Sequence, residues 1–223
     1  MAQSKKAASG RTVQVAAGLV RLEGLLVVSE GAKGVVLFAH GSGSGRHSPR
    51  NNFVARVLQQ GDLATLLIDL LTEREVMDRR LVFDIELLAA RLLHATAWLR
   101  EDGETQALPV GYFGASTGAG AALVAAAREG DGIRAVVSRG GRPDLAAPYL
   151  SQVQAPTLLI VGGDDVPVIH MNREALALLR CPKDMVIIPG ATHLFEEPGA
   201  LEEVARLARE WFTRHLPVAR SSP

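Results

Sequence analysis

Along this chain, short, largely apolar runs alternate with stretches in which apolar residues recur every three or four positions. The runs fall at 34–39, 63–71, 108–113, 133–138, 157–161 and 185–188. A strand with no polar face is one covered on both sides, so each run predicts a buried strand. Residues 13–28 add two β-rich pieces with Gly18 and Gly24 between them, an opening hairpin or meander. Helical periods lie between the runs. Phe53, Val54, Val57 and Leu58 mark a helix over 51–60; Leu88, Leu92, Ala95 and Leu99 mark a long one over 83–101, with Asp84 near its start. Residues 117–128 are rich in Ala and Gly and helical, and 174–179 form a short helix. Leu201, Val204, Ala205, Ala208, Trp211 and Phe212 make the buried stripe of a last helix over 201–215. Such alternation predicts a mostly parallel sheet with helices on both faces. In sheets of that kind, the loops leaving the carboxyl ends of the strands build the site.

Composition narrows the reading. The 223 residues suit one domain over 1–223, with about 1–11 and 217–223 as flexible tails. A chain 48% hydrophobic and 22% charged is not an intrinsically disordered one. Its 24 basic and 24 acidic residues balance, which removes the bulk electrostatic case for nucleic acid or an anionic membrane as partner. No apolar run approaches the ~18 residues of a membrane helix, and no apolar segment follows Lys5 and Lys6 as in a secretory signal. The single cysteine, Cys181, has no disulfide partner, which fits a cytoplasmic protein. Twenty-two glycines against 4% aromatics call for many tight turns and close backbone approaches.

Three strand-end loops carry chemistry. Between a predicted strand and a predicted helix stands Gly114-Ala115-Ser116-Thr117-Gly118, a G-x-S-x-G match in the context the motif requires: a sharp turn that projects the Ser hydroxyl from the sheet. After the 157–161 strand come Gly162, Gly163, Asp164 and Asp165; after the 185–188 strand come Gly190, Ala191, Thr192 and His193. A Ser hydroxyl is a weak nucleophile unless a His takes its proton, and that imidazole needs a carboxylate to hold its tautomer. Nucleophile, acid and His follow in the order of this architecture, which makes Ser116, Asp165 and His193 the candidate catalytic residues, with Asp164 competing for the acid role. The third loop, His40-Gly41-Ser42-Gly43-Ser44-Gly45, offers backbone amides for an oxyanion. The candidate donors are the amides of Thr117 and Ser42, with Gly43 as the alternative to Ser42. Arg46, Arg139 and Arg142 lie near the same edge and are candidates to hold a substrate carboxylate. The charged stretch 73–80 reads as a solvated helical excursion over the site, with Met77 facing the pocket.

Other readings fit less well. A dinucleotide could sit on the Gly-rich loop with Asp69 as ribose partner, but G-x-G-x-G replaces G-x-G-x-x-G and His47 to Arg50 separate the loop from its helix. No His, Cys, Asp or Glu cluster has metal-ligand spacing, so neither cofactor nor metal is expected. A catalytically silent ligand binder has no use for nucleophile and base together.

With these residues the chain resembles the α/β-hydrolases, and among them the dienelactone hydrolase-like group, from about Val13 to Leu216. The resemblance rests on Val35-Val36-Leu37-Phe38-Ala39-His40-Gly41, the elbow at Ser116, the segment from Gly162 to Val168, and Gly190-Ala191-Thr192-His193-Leu194-Phe195. It implies an eight-stranded sheet with an antiparallel second strand, the triad Ser116, Asp165 and His193, and hydrolysis of a small ester or lactone through an acyl-enzyme. Dienelactone hydrolases proper carry Cys in the elbow. With Ser116 there, with small Ala115 before it and without an insertion for a large lid, the implied activity is that of a carboxylesterase for short soluble esters.

Overall fold

The computed structural model describes residues 10–216. Alternating burial along β1 (Gly10–Ala17) and β2 (Val20–Val27) pairs them as an antiparallel hairpin, turned at Gly18 with φ +67°. Gly24 lies within β2 and not between strands; a Cβ there would come within 3.0 Å of Val13 and Leu66. Gly10 and Arg11, expected in a tail, belong to β1, and Arg11 is ion-paired with Asp102 and Glu104. The rest of the expected tails, 1–9 and 217–223, lie outside the described residues.

The apolar runs become β3 (Val35–Ala39), β4 (Ala64–Ile68), β5 (Val110–Ala115), β6 (Ile133–Arg139), β7 (Thr157–Gly162) and β8 (Lys183–Ile188). One eight-stranded sheet gathers them in the order β1-β2-β4-β3-β5-β6-β7-β8, and β2 alone runs against the rest. Strand order reverses at β3, which pairs with β4 on one side and β5 on the other. A crevice therefore opens beyond the carboxyl ends of β3 and β5, where open α/β sheets bind ligands.

Helices cover both faces. On one, α1 (Pro49–Gln60) packs with α6 (Ala200–His215) over a core that includes Phe38, Phe113 and Phe212. On the other, α3 (Ile85–Glu101), α4 (Thr117–Glu129) and α5 (Val166–Leu178) cover Leu37, Tyr112 and Val136. Burying a large aliphatic or aromatic side chain contributes about 1.5–3 kcal/mol, so these two layers supply most of the driving force. Two helices begin earlier than their periodicity suggests. α1 starts at Pro49, capped by the Ser48 hydroxyl, and α5 at Val166 rather than at 174. A 3-10 helix, Pro143–Gln152, follows β6.

The charged stretch after β4 becomes a 3-10 turn (Glu75–Met77) and a short helix, α2 (Arg79–Val82). Arg91 of α3 anchors it. This buried guanidinium donates to Ala17 O at 2.6 Å and to Glu75 Oε1 at 2.8 Å, while Glu75 Oε2 accepts from Thr72 N. Cys181 is buried with Sγ 3.7 Å from Thr157 Oγ1, and burial pushes its thiol pKa up.

Candidate active site

The elbow follows from what cannot fit. A Cβ on Gly114 would overlap Ala119 of α4, and one on Gly118 would overlap the Ala39 carbonyl of β3. Strand, turn and helix can approach this closely only with glycine at both places. Between them Ser116 adopts φ +50° and ψ −124°, a backbone that L side chains rarely take. Its N–H donates to Arg139 O on β6, which ties the elbow to the neighbouring strand end.

Beyond β7 and β8 the acid and the imidazole meet. His193 Nδ1 lies 2.6 Å from Asp165 Oδ2, and the carboxylate is largely buried while the ring stays accessible. That contact leaves Nε2 as the free ring nitrogen. Asp164 is exposed and its backbone N–H bonds to Ala191 O; among the described residues its carboxylate makes no hydrogen bond to the ring. Val168 is buried below the loop, in the first turn of α5. The base segment is fixed independently: Thr192 donates from N and Oγ1 to Glu197, and Phe195 holds a positive φ. Ser116 and His193 line one recess of about 200 Å³, together with Arg139 and Arg50. Among the described residues Ser116 Oγ has no hydrogen-bond partner, so the serine and the His193 ring share the recess without a bond.

The Gly-rich loop borders the recess. His40 is buried, accepts from Leu70 N through Nε2 at 2.9 Å and donates from Nδ1 to Gly41 O at 3.0 Å. Burial holds its pKa below the usual range, which favours this neutral tautomer. Ser42 N donates to Thr117 Oγ1 at 3.1 Å. The two expected oxyanion donors are thus neighbours, but the Ser42 amide is free only when the Thr117 hydroxyl turns away. Among the described residues the Gly43 amide has no acceptor.

The three arginines differ sharply. Arg46 closes its own loop: N donates to Asp69 at 2.6 Å and the guanidinium pairs with Asp69 and Glu23. Asp69, the candidate ribose partner, is engaged by the same pairing. Arg142 forms a two-pronged pair with Asp144 at 2.7 and 2.9 Å. Arg139 is 7% exposed, its Nε and Nη1 have no partner, and burial beside Arg50 pulls its pKa down to about 10. Arg50, in the first turn of α1, is a site residue that sequence reasoning missed. The overlooked signal was Ser48-Pro49, a helix cap followed by Pro at the first helical position.

On the Thr117 side lies an apolar recess of about 310 Å³, lined by Leu71, Val76, Val82 and Leu88. From the excursion Val76, not Met77, reaches it; Met77 is exposed. A broader, charged recess of about 630 Å³ continues past Arg46 towards β2. Among the described residues no cluster of three or more His, Cys, Asp or Glu could hold a metal ion, and no helix is long and apolar enough to cross a membrane.

Known proteins share this architecture. Two curated proteins from two strains of Mycobacterium tuberculosis, each provisionally named a phosphoribosyl transferase, are 60% identical over 204 residues. That covers 92% of this chain but 46% of theirs, so the chain spans less than half the length of the curated relatives it matches. A crystal structure of a dienelactone hydrolase from Anabaena variabilis is 62% identical and superposes with a TM-score of 0.92, covering 94% of this chain and 99% of that one. Est1E from Butyrivibrio proteoclasticus, 15% identical, shares the fold at a TM-score of 0.80 over 93% of this chain and 99% of its own. The fold is that of the α/β-hydrolases, and the model of the dienelactone hydrolase family matches residues 24–216. This chain belongs to the dienelactone hydrolase family.

Proposed function

We propose that this protein is a cytoplasmic serine hydrolase that cleaves small carboxylic esters, lactones included, through an acyl-enzyme. The observation that carries the reading is the Asp165–His193 contact at 2.6 Å beside a serine on a strained elbow in the same recess. Ser116 Oγ attacks the ester carbonyl and gives its proton to His193 Nε2, the nitrogen that Asp165 leaves free. Negative charge then develops on the carbonyl oxygen, near the amides of Thr117 and of Ser42 or Gly43. Each such donor is worth about 3 kcal/mol in the transition state. Collapse breaks the bond to the alcohol oxygen, which departs with the Nε2 proton. Water repeats the sequence on the acyl carbon, gives its proton to Nε2, and releases the acid as Ser116 recovers its hydroxyl.

A fluorophosphonate probe should label the wild type and leave Ser116→Ala unlabelled; an unlabelled wild type sinks the reading. Asp165→Asn should lower p-nitrophenyl acetate turnover by about 10⁴-fold, as expected of a misoriented imidazole, and Asp164→Asn by less than about threefold. Phosphoribosyl transfer, the activity in the curated relatives' name, has more than half of those proteins outside the matched stretch to reside in. Pyrophosphate release from phosphoribosyl pyrophosphate by this chain, retained in Ser116→Ala, would favour that activity instead.

A further inference from the structure

A threonine inside a helix commonly returns its hydroxyl hydrogen to a carbonyl one turn back, as Thr96 of α3 does to Leu92 O at 2.9 Å. Thr117 cannot. It is the first residue of α4, so no helical turn precedes it, and only 3% of its surface meets solvent. Its Oγ1 accepts from Ser42 N at 3.1 Å, yet among the described residues nothing accepts the Oγ1 hydrogen. A hydroxyl offers one hydrogen and two lone pairs. Here a lone pair is used and the donor is spare.

The surroundings fix where that donor stands. A Cβ on Gly41 would lie 3.0 Å from Ser116 Cβ and 3.2 Å from Ala115 O, so the Gly-rich loop rests against the elbow. Gly41 and Ser42 border both the recess of Ser116 and His193 and the apolar recess that Thr117 lines. The Thr117 hydroxyl, bonded to Ser42 N, therefore stands where the two recesses meet. A hydroxyl so placed either blocks the Ser42 amide or carries its polarity onward. Displacing it would break the bond to Ser42 N and leave a buried hydroxyl with no partner at all, which is costly. Accepting from Ser42 N instead sharpens it as a donor, because successive hydrogen bonds polarise one another.

We propose that the Thr117 hydroxyl is itself a catalytic oxyanion donor, acting beside the Thr117 amide, with the Ser42 amide working through it. An ester carbonyl attacked by Ser116 Oγ, its alcohol turned towards His193, directs its oxygen to this junction. The hydrogen stays on Oγ1 throughout; only a hydrogen bond forms, and it strengthens as charge develops. This rests on the serine hydrolase reading and adds a side-chain donor, which substitution can remove as it cannot remove an amide.

The test compares kcat and KM for p-nitrophenyl butyrate in wild type, Thr117→Val, Thr117→Ala and Thr117→Ser. Valine keeps the shape and removes the hydroxyl. Its kcat should fall by about 10²-fold, the loss of one oxyanion donor, with KM changed by less than about threefold. Alanine uncovers the Ser42 amide and should still lose more than about tenfold in kcat, whereas serine should recover most of the loss. Trifluoromethyl propyl ketone, whose adduct with Ser116 bears an oxyanion, should bind more weakly to Thr117→Val by the factor that kcat/KM loses; a merely structural role would not track that factor. If the valine variant fails to fold, alanine against serine decides. Alanine at or above the wild-type kcat would mean that the hydroxyl blocks the amide, and that overturns the proposal, as does a raised KM at unchanged kcat. A wild type that turns over no ester strikes the hydrolase reading and this donor with it; an active wild type with unaffected variants strikes the donor alone.

Discussion

Arg91 and Arg139 are both buried arginines, and they stand in opposite relations to the fold. Arg91 reaches from α3 to the Ala17 carbonyl and the Glu75 carboxylate, so its charge is matched and two distant chain segments are joined. Arg139 reaches the crevice, matches nothing and faces a second cation. The first contributes to stability; the second, buried without a partner for its Nε and Nη1, detracts from it. Burial alone therefore says nothing about the role of a charge. Its partners decide.

The largest effect that could break this contrast is Arg91→Met. Breaking a buried pair leaves a carboxylate and a carbonyl unmatched, and the expected loss is about 3 kcal/mol, seen as a melting point lower by about 6–12 °C. Glu75→Gln keeps the volume but removes the charge. It should lose about 2 kcal/mol and loosen the excursion that carries Val76, raising KM for butyrate esters more than for acetate esters. Arg139→Met should move the other way, with a gain of about 1 kcal/mol because an unmatched cation is replaced by an apolar chain. A loss in thermal denaturation comparable with Arg91→Met would mean that Arg139 has partners within the fold. The smallest effect belongs to His40, whose folded-state pKa is depressed by burial. Its neutral form is required, so its contribution is present above the unfolded pKa of about 6.5 and lost as pH falls below it. His40→Gln should accordingly lose less stability than wild type between pH 7 and pH 5 in urea titrations.

Much of this was legible in the residues. The apolar runs became strands because both faces of the sheet are covered, and the stripe of the last helix is buried nearly as read: Val204, Ala205, Ala208, Trp211 and Phe212 are inside, Leu201 at the edge. Ser116, Asp165 and His193 were legible as a set because each follows an apolar run, and in the structure they stand beyond the carboxyl ends of β5, β7 and β8. Helix starts differ from the apolar periodicity at Pro49 and Val166, and in both helices a proline stands in the first turn, where its fixed φ and missing N–H suit a helix. The arginines were less legible. Asp144, two residues from Arg142, was a visible local partner. Glu23 and Asp69 meet Arg46 only because β2 lies beside β4, a pairing that no local pattern reveals.

The elbow has one more consequence. Ser116 holds a backbone conformation natural to glycine, at a penalty on the order of 1–3 kcal/mol. Ser116→Gly would lift that penalty and remove the proposed nucleophile in one step. Greater robustness and loss of chemistry thus begin with the same substitution, and a descendant that drifted into inactivity by this route should outlast its ancestor on heating.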